Sequence, residues 1–330
     1  VQNNNWIFRS KTDAMAVQTE VSRESLSSSC RNNSSPCVSN LCCGNADIKT
    51  KELQERWLGG IDEVPDYQRR VYILWYYRLE APRLRHFWRL HNEVGNMWTH
   101  LIAAALTLVR FGCWLQAELL EDYSVSGLSW PRKLYAAGVV SFYLASLLTF
   151  GISVTYHWRQ SGKEREVKCW LCLDISCCAL LLLVGFLAGV PMGFHCHPQL
   201  QKAYMLQAMS VAVGTLCAFL SESPATRGHR SSPFLILGGI SALWPALHWL
   251  ILSSEGRQAA GLWLLLVIIS GILATIFYTK YIPECYAPGR FDLFCNSHQL
   301  WHCFIYIAIA GYAEALVAVF KLTASSSFCQ

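Results

Sequence analysis

Charge is what this sequence has least of. Only 15% of its 330 residues are Asp, Glu, Lys or Arg, where a soluble domain carries about a quarter, and that scarcity argues against the two water-soluble domains that length alone would permit. No charged-then-apolar leader opens the chain, and Val1 stands where an unprocessed product has Met. The first apolar run is therefore expected to act as the insertion signal. A second Cys-x-x-Cys to match Cys169 and Cys172 is missing, so no four-thiolate metal site is expected. Nor is the net charge of +5 a nucleic-acid signature; the excess lies where a membrane surface would meet it, and no nucleic-acid partner is expected.

What the chain has instead is apolar length. Hydrophobic residues make up 53% of it. They collect into seven runs, near 97–117, 134–157, 168–190, 204–221, 232–253, 260–281 and 298–320, lengths that suit about 30 Å of hydrocarbon. The fourth is the weakest, short and carrying Gln207, Ser210 and Thr215, which a helix buried among others tolerates. The expected fold is an all-α membrane protein, a seven-transmembrane helix bundle. Lys and Arg set its direction, because positive residues stay on the cytoplasmic side. The N-terminal tail and the loops on its side hold 21 of them and the opposite loops 5, with Arg110 inside the first run. The N-terminus is therefore expected in the cytoplasm and the C-terminus outside.

Residues 1–52 have the low hydrophobicity of a disordered cytoplasmic tail, in which the sequons at Asn32 and Asn33 would not meet the glycosylation machinery. Residues 53–96 interleave aromatics with Arg in VYILWYYRL and HFWRL, a composition that suits an amphipathic helix lying at the headgroups. Residues 97–320 form the membrane domain, and 321–330 a short extracytoplasmic tail. Most cysteines sit in spans or on the reducing side, which argues against a disulfide framework.

Polar residues in the runs point to chemistry. Ser153 and His157 stand four apart at the end of the second run, and His298 and His302 four apart at the start of the seventh, so each pair shares one helical face. The topology brings His157, His298 and His302 to one cytoplasmic depth, with Asp174 at the start of the third run. Three neutral imidazoles with an open fourth position make a hydrolytic zinc site, in which bound water ionises near neutral pH. Asp174 would orient or deprotonate that water and Ser153 would support it by a hydrogen bond. The bland reading, interfacial histidines packed among headgroups, fits one histidine better than it fits three with a carboxylate at matched depth. His100 has the right depth and is a spare candidate, although a structural role fits it better. His195, His197 and His248 lie at the other end. Arg110 and Glu314 reach similar depths in parallel spans and are expected to pair, with snorkelling as the alternative.

These residues resemble the progestin and adipoQ receptor family, related to hemolysin III. The likeness is carried by HNEVGNMWTH at 91–100, SVTYH at 153–157, Leu173-Asp174 and IPECYAPGRFDLFCNSHQLWH at 282–302, and it covers about 64–320. It implies seven core spans with a cytoplasmic N-terminus, zinc on His157, His298 and His302, and Asp174 with Ser153 around it. It also implies a receptor for a steroid or other lipid, passing its signal to a G protein or adaptor at the cytoplasmic face, in the plasma membrane or an internal one. A ceramidase-like zinc amidase and an adiponectin-type receptor with structural zinc are the alternatives. WTHLIAAALTLVRF at 98–111 and Glu314-Ala315 are similar to the membrane progestin receptor branch. Two departures stand out: no eighth apolar run follows Lys321, and the usual Gly-Tyr-Arg before the first span reads Tyr76-Tyr77-Arg78.

Overall fold

The computed structural model describes residues 56–120, 130–220 and 231–323, with backbone alone at 119–120, 219–220 and 231–236. Residues 1–55 and 324–330, and with them the expected disordered tail and its sequons, lie outside the described residues. Seven α-helices follow one another: α1 Val94–Leu120, α2 Trp130–Arg159, α3 Glu164–Gly193, α4 Pro198–Leu220, α5 Ser231–Leu252, α6 Ser254–Lys280 and α7 Ser297–Leu322. Five of them, α1, α2, α3, α6 and α7, are long and apolar enough to cross a membrane among the described residues. In α5 the segment Leu237–Leu252 is apolar but shorter. Neighbours in sequence pack side by side, α1 closes the ring against α7, and α3 crosses inside it to touch α5 and α7. Large side chains such as Leu262 (81% exposed) and Ile251 (74%) point outward, a surface made for lipid rather than water.

Two glycines permit the close approaches that matter. A β-carbon at Gly95 would overlap the side-chain amide of Gln299, so the starts of α1 and α7 meet there. A β-carbon at Gly189 would overlap the hydroxyl of Tyr312, which donates at 2.8 Å to the Gly185 carbonyl and fixes α7 against α3. The polar residues of α4 are satisfied locally: Gln207 donates to the Ser241 carbonyl of α5 at 2.9 Å, and Ser210 and Thr215 donate back one turn to Leu206 and Val211.

The segment before α1 differs from the expected amphipathic helix. Its described part is a compact collar of a two-stranded antiparallel ribbon, β1 Leu58–Gly59 against β2 Tyr77–Arg78, with 3-10 turns at Ile61–Glu63, Asp66–Gln68 and Leu84–Phe87. Gly59-Gly60, Pro65 and Pro82 interrupt any helix, and Val64, Ile73 and Tyr77 give the collar a small core of its own. The Tyr77 hydroxyl ties it together, accepting from the Arg70 N–H at 2.8 Å and donating to the Ile73 carbonyl at 3.0 Å. Among the described residues, Cys196 in the α3–α4 turn is disulfide-bonded.

Candidate metal centre

His100 in the second turn of α1, His157 in the last turn of α2 and His302 in the second turn of α7 converge at the collar end of the bundle. All three are buried, and one ring nitrogen from each lies within 4.8 Å of the others. Their ring centroids stand 3.8 Å apart for His100 and His302, 5.1 Å for His157 and His302, and 5.6 Å for His100 and His157.

Neighbouring groups decide which nitrogen each ring offers. His157 Nδ1 is 2.8 Å from Glu93 Oε2; a carboxylate only accepts, so Nδ1 carries the hydrogen, and in the neutral ring Nε2 holds the lone pair. Burial pushes the Glu93 carboxyl up, but Arg70, His157 and Asn96 outweigh it and hold the group well below the usual carboxylate range. Arg70 Nε donates to Oε1 at 3.0 Å and Asn96 Nδ2 to Oε2 at 2.7 Å. The Thr99 hydroxyl donates its one hydrogen to the Asn96 carbonyl at 2.9 Å, so it accepts from His302 Nδ1, also at 2.9 Å. His302 Nε2 is then a buried lone pair with no hydrogen-bond partner among the described residues, which is costly unless something positive fills the place. The donor set, imidazoles oriented through their second nitrogen by a carboxylate and a hydroxyl, fits a transition-metal ion such as zinc.

The collar holds this geometry from outside. Arg78 on β2 donates to the His157 and Trp158 carbonyls at 2.8 Å each, satisfying the end of α2 where a helix leaves carbonyls unpaired. Burial lowers the Arg78 guanidinium to about 10, a fall that Glu93 limits. On the α6–α7 loop, Asp292 accepts from the N–H groups of Leu74 at 3.1 Å and Trp75 at 2.7 Å. Burial raises its carboxyl to about 6 despite those donors. Asn296 caps α7, accepting from the Gln299 N–H at 3.1 Å, and Glu284 accepts from the Ser297 N–H at 2.7 Å and from its hydroxyl. The collar thus reaches α2, α1 and α7 through Arg78, Glu93 and the Asp292 contacts.

His298 sits one turn before His302, half-buried, with its ring 4.4 Å from His302 and 5.3 Å from His157. Its other face lies on Trp301 at 5.2 Å. It belongs to the cluster by ring contact, while the nitrogens that come within 4.8 Å of one another are those of His100, His157 and His302. Ser153 and Asp174 are hydrogen-bonded to each other, one turn before His157. His195 and His248, at the far end, meet the Tyr135 and Tyr204 hydroxyls at 2.6 Å. Arg110 and Glu314 form the expected ion pair between α1 and α7. Sequence reasoning missed Glu93, Asn96 and Thr99 and set His100 aside. The signal for all four lay in HNEVGNMWTH, a polar string at the mouth of an apolar helix.

Between α1 and α7 an open groove of about 210 Å³ is lined by Thr99, Ile102, Ala103, Cys303, Tyr306 and Ile307. It is apolar along its length and ends at the hydroxyl that holds His302.

The family model "Haemolysin-III related" matches residues 88–313, from the end of the collar through most of α7. The chain belongs to the haemolysin-III-related, or progestin and adipoQ receptor, family. Among the relatives of this haemolysin-III-related chain, the Adiponectin receptor protein of Drosophila melanogaster is 28% identical over 229 residues, covering 67% of this chain and 49% of the fly protein. Progestin and adipoQ receptor-like protein 1 of Caenorhabditis elegans is 27% identical over 275 residues, covering 79% of this chain and 61% of the nematode protein. Progestin and adipoQ receptor family member 3 of Mus musculus is 23% identical over 239 residues, covering 70% of this chain and 75% of the mouse protein. This chain therefore spans about half of the fly protein and under two thirds of the nematode one. Adiponectin-type and progestin-type names stand at similar identity, so identity selects neither branch. As a family member with five apolar spanning helices, this is an integral multi-pass membrane protein.

Proposed function

We propose that this protein is a seven-transmembrane receptor for a steroid or other lipid, with a zinc ion held by the clustered histidines at its cytoplasmic end. The observation that carries the reading is the cluster itself: buried imidazoles on three helices, two of them oriented by Glu93 and Thr99 so that lone pairs face inward. Zinc bound there would supply a cationic centre that ties helices together and can polarise an oxygen. His157, His298 and His302 are the proposed ligands. The α1–α7 groove supports a lipid ligand, because an amphiphile lying in it would keep its chain against Ile102 and Ile307 and its polar end near Thr99. Signal would pass to a G protein or adaptor through the collar and the loops on its side. Placing that end in the cytoplasm of a plasma-membrane protein rests on the Lys and Arg count. It is supported by the disulfide at Cys196, since the α3–α4 turn opposite would then face an oxidising compartment. Features shared with the progestin receptor branch favour a steroid over a protein hormone such as adiponectin.

A second reading has one observation of its own. The half-buried Asp174, hydrogen-bonded to the buried Ser153, stands one turn from His157, and a carboxylate there could hold a proton during lipid amide hydrolysis of the ceramidase type. The test uses purified full-length protein in detergent. Saturable progesterone binding that survives His298→Ala, without fatty-acid release from ceramide, supports the receptor. Release that disappears in His298→Ala supports the amidase, and neither activity contradicts both.

A further inference from the structure

We propose that the last stretch of the collar, residues 83–90, is a docking site for anionic phospholipid in the leaflet on that side of the membrane. The inference goes beyond the receptor reading and needs neither its ligand nor its zinc.

Placement is the first argument. The Trp98 indole, in the second turn of α1, donates to the Phe87 carbonyl at 3.0 Å, and its ring lies 5.4 Å from that of Trp88. On the other side the Trp158 indole, near the end of α2, donates to the Arg83 carbonyl at 3.1 Å, with its ring 5.6 Å from Phe87. The stretch is thus strapped across the collar ends of two spanning helices. Trp88 stands beside the second turn of α1 rather than beyond its end. Leu101 and Ile102 follow Trp98 on the same helical face and are exposed, so the surface of the strap runs on into the lipid-facing wall of α1. Tryptophan rings gather at that level because one edge is apolar and the other bonds to polar groups.

Exposure is the second argument. Leu84 is 74% exposed and Trp88 76%, and Leu90 is exposed beside them. Large apolar side chains left uncovered next to a lipid-facing helix are accounted for by lipid.

Charge selects the lipid. Arg83, Arg85 and Arg89 are exposed in the same stretch. Glu80 faces the first two, and His86 is uncharged at neutral pH because burial, aided by Arg78, holds it down to about 4. Residues 80–90 therefore carry three Arg against one Glu. Arg89 is set over the Trp57 ring at 5.2 Å, and a guanidinium can give two parallel hydrogen bonds to one phosphate. Each such residue at an anionic surface raises the preference for it about fivefold. An acidic protein would meet the charges as well, but it would not reach Trp88 beside the second turn of a spanning helix. The strap ends three residues before Glu93, the carboxylate on His157, so the leaflet holds the approach to the metal centre.

The test uses the purified full-length protein in lipid nanodiscs, with brominated phosphatidylserine or brominated phosphatidylcholine as a contact quencher of tryptophan emission. Subtracting Trp88→Phe from wild type isolates the emission of Trp88. That emission should be quenched several-fold more by the brominated serine lipid at equal content, and changing Arg83, Arg85 and Arg89 together to Gln should make the two lipids equal. Should the triple variant fold poorly, salt at about 1 M, which shortens the screening length to about 3 Å, should make them equal in wild type. Equal quenching by both lipids in wild type, or a preference that survives the Arg changes or the salt, would overturn the inference. Quenching by neither lipid would overturn it too, and would mark the strap as a surface for a protein partner.

Discussion

Glu93, the last residue before α1, stands 2.8 Å from His157 Nδ1 at the end of α2, and both are buried. The same carboxylate takes Arg70 and Asn96, so a collar residue sets the tautomer of a candidate ligand on another helix. Glu93→Gln preserves shape and removes charge; zinc affinity is expected to fall about 10–100-fold. Chelator competition on purified protein measures it, and wild-type affinity in the variant would show that Glu93 does not act on the metal. Glu93→Ala leaves Arg70 without its carboxylate and should cost about 3–5 kcal/mol of stability.

Tyr76 occupies the left-handed region, with φ at 66°, at the place where the resembling family carries glycine. Its carbonyl still accepts from the Asn92 N–H at 3.0 Å, so the turn is kept at a conformational cost of about 1–2 kcal/mol. Tyr76→Gly relieves that and adds back about 0.5–1 kcal/mol of unfolded-chain entropy. The net expectation is a gain of several tenths to about 1 kcal/mol, while Tyr76→Val should lose stability. Thermal unfolding in detergent separates the two, and a lower melting temperature for Tyr76→Gly would contradict the strain.

Acid should loosen the collar through His91. Burial holds its imidazole down to about 3, with Arg78 adding to the effect. His91 Nδ1 accepts from the Glu93 N–H at 3.1 Å while Nε2 faces the His86 carbonyl at 3.0 Å, so a second proton would break the turn that presents Glu93. The folded value lies below the ordinary one of about 6.5, so the unfolded chain takes the proton first. Stability is complete above about pH 6.5 and falls as pH drops toward 3, by roughly 2 kcal/mol at pH 5. Unfolding compared near pH 7.5 and pH 5 should show a smaller drop in His91→Gln than in wild type; equal drops would rule His91 out.

Arg110 and Glu314 pair in the halves of α1 and α7 away from the collar, where an unpaired charge is costly. Exchanging them, Arg110→Glu with Glu314→Arg, should restore the melting temperature that either single change lowers. A double variant no more stable than the singles would mean that each side chain reaches the surface alone.

The helices were legible because length and apolarity declare them, and even the weak fourth run forms one, its Gln207 finding a carbonyl on α5. The collar was not. Arg-and-aromatic composition reads as an amphipathic helix until Gly59, Gly60 and Pro65 are weighed, and its fold depends on partners over 200 residues away, such as Asp292. His157 and His302 could be placed by counting charges along the chain. His100 could not be promoted that way, since a lone histidine at the mouth of α1 has no helical neighbour of its kind. Only the packing of α1 on α7 through Gly95 and Gln299 brings it to His302.

The zinc content of the purified full-length protein tests the central claim most directly. One zinc per chain, retained through gel filtration and lost when His157 and His302 are both changed to Ala, is the predicted result. A wild-type protein without zinc, or one whose zinc survives that double change, would contradict it.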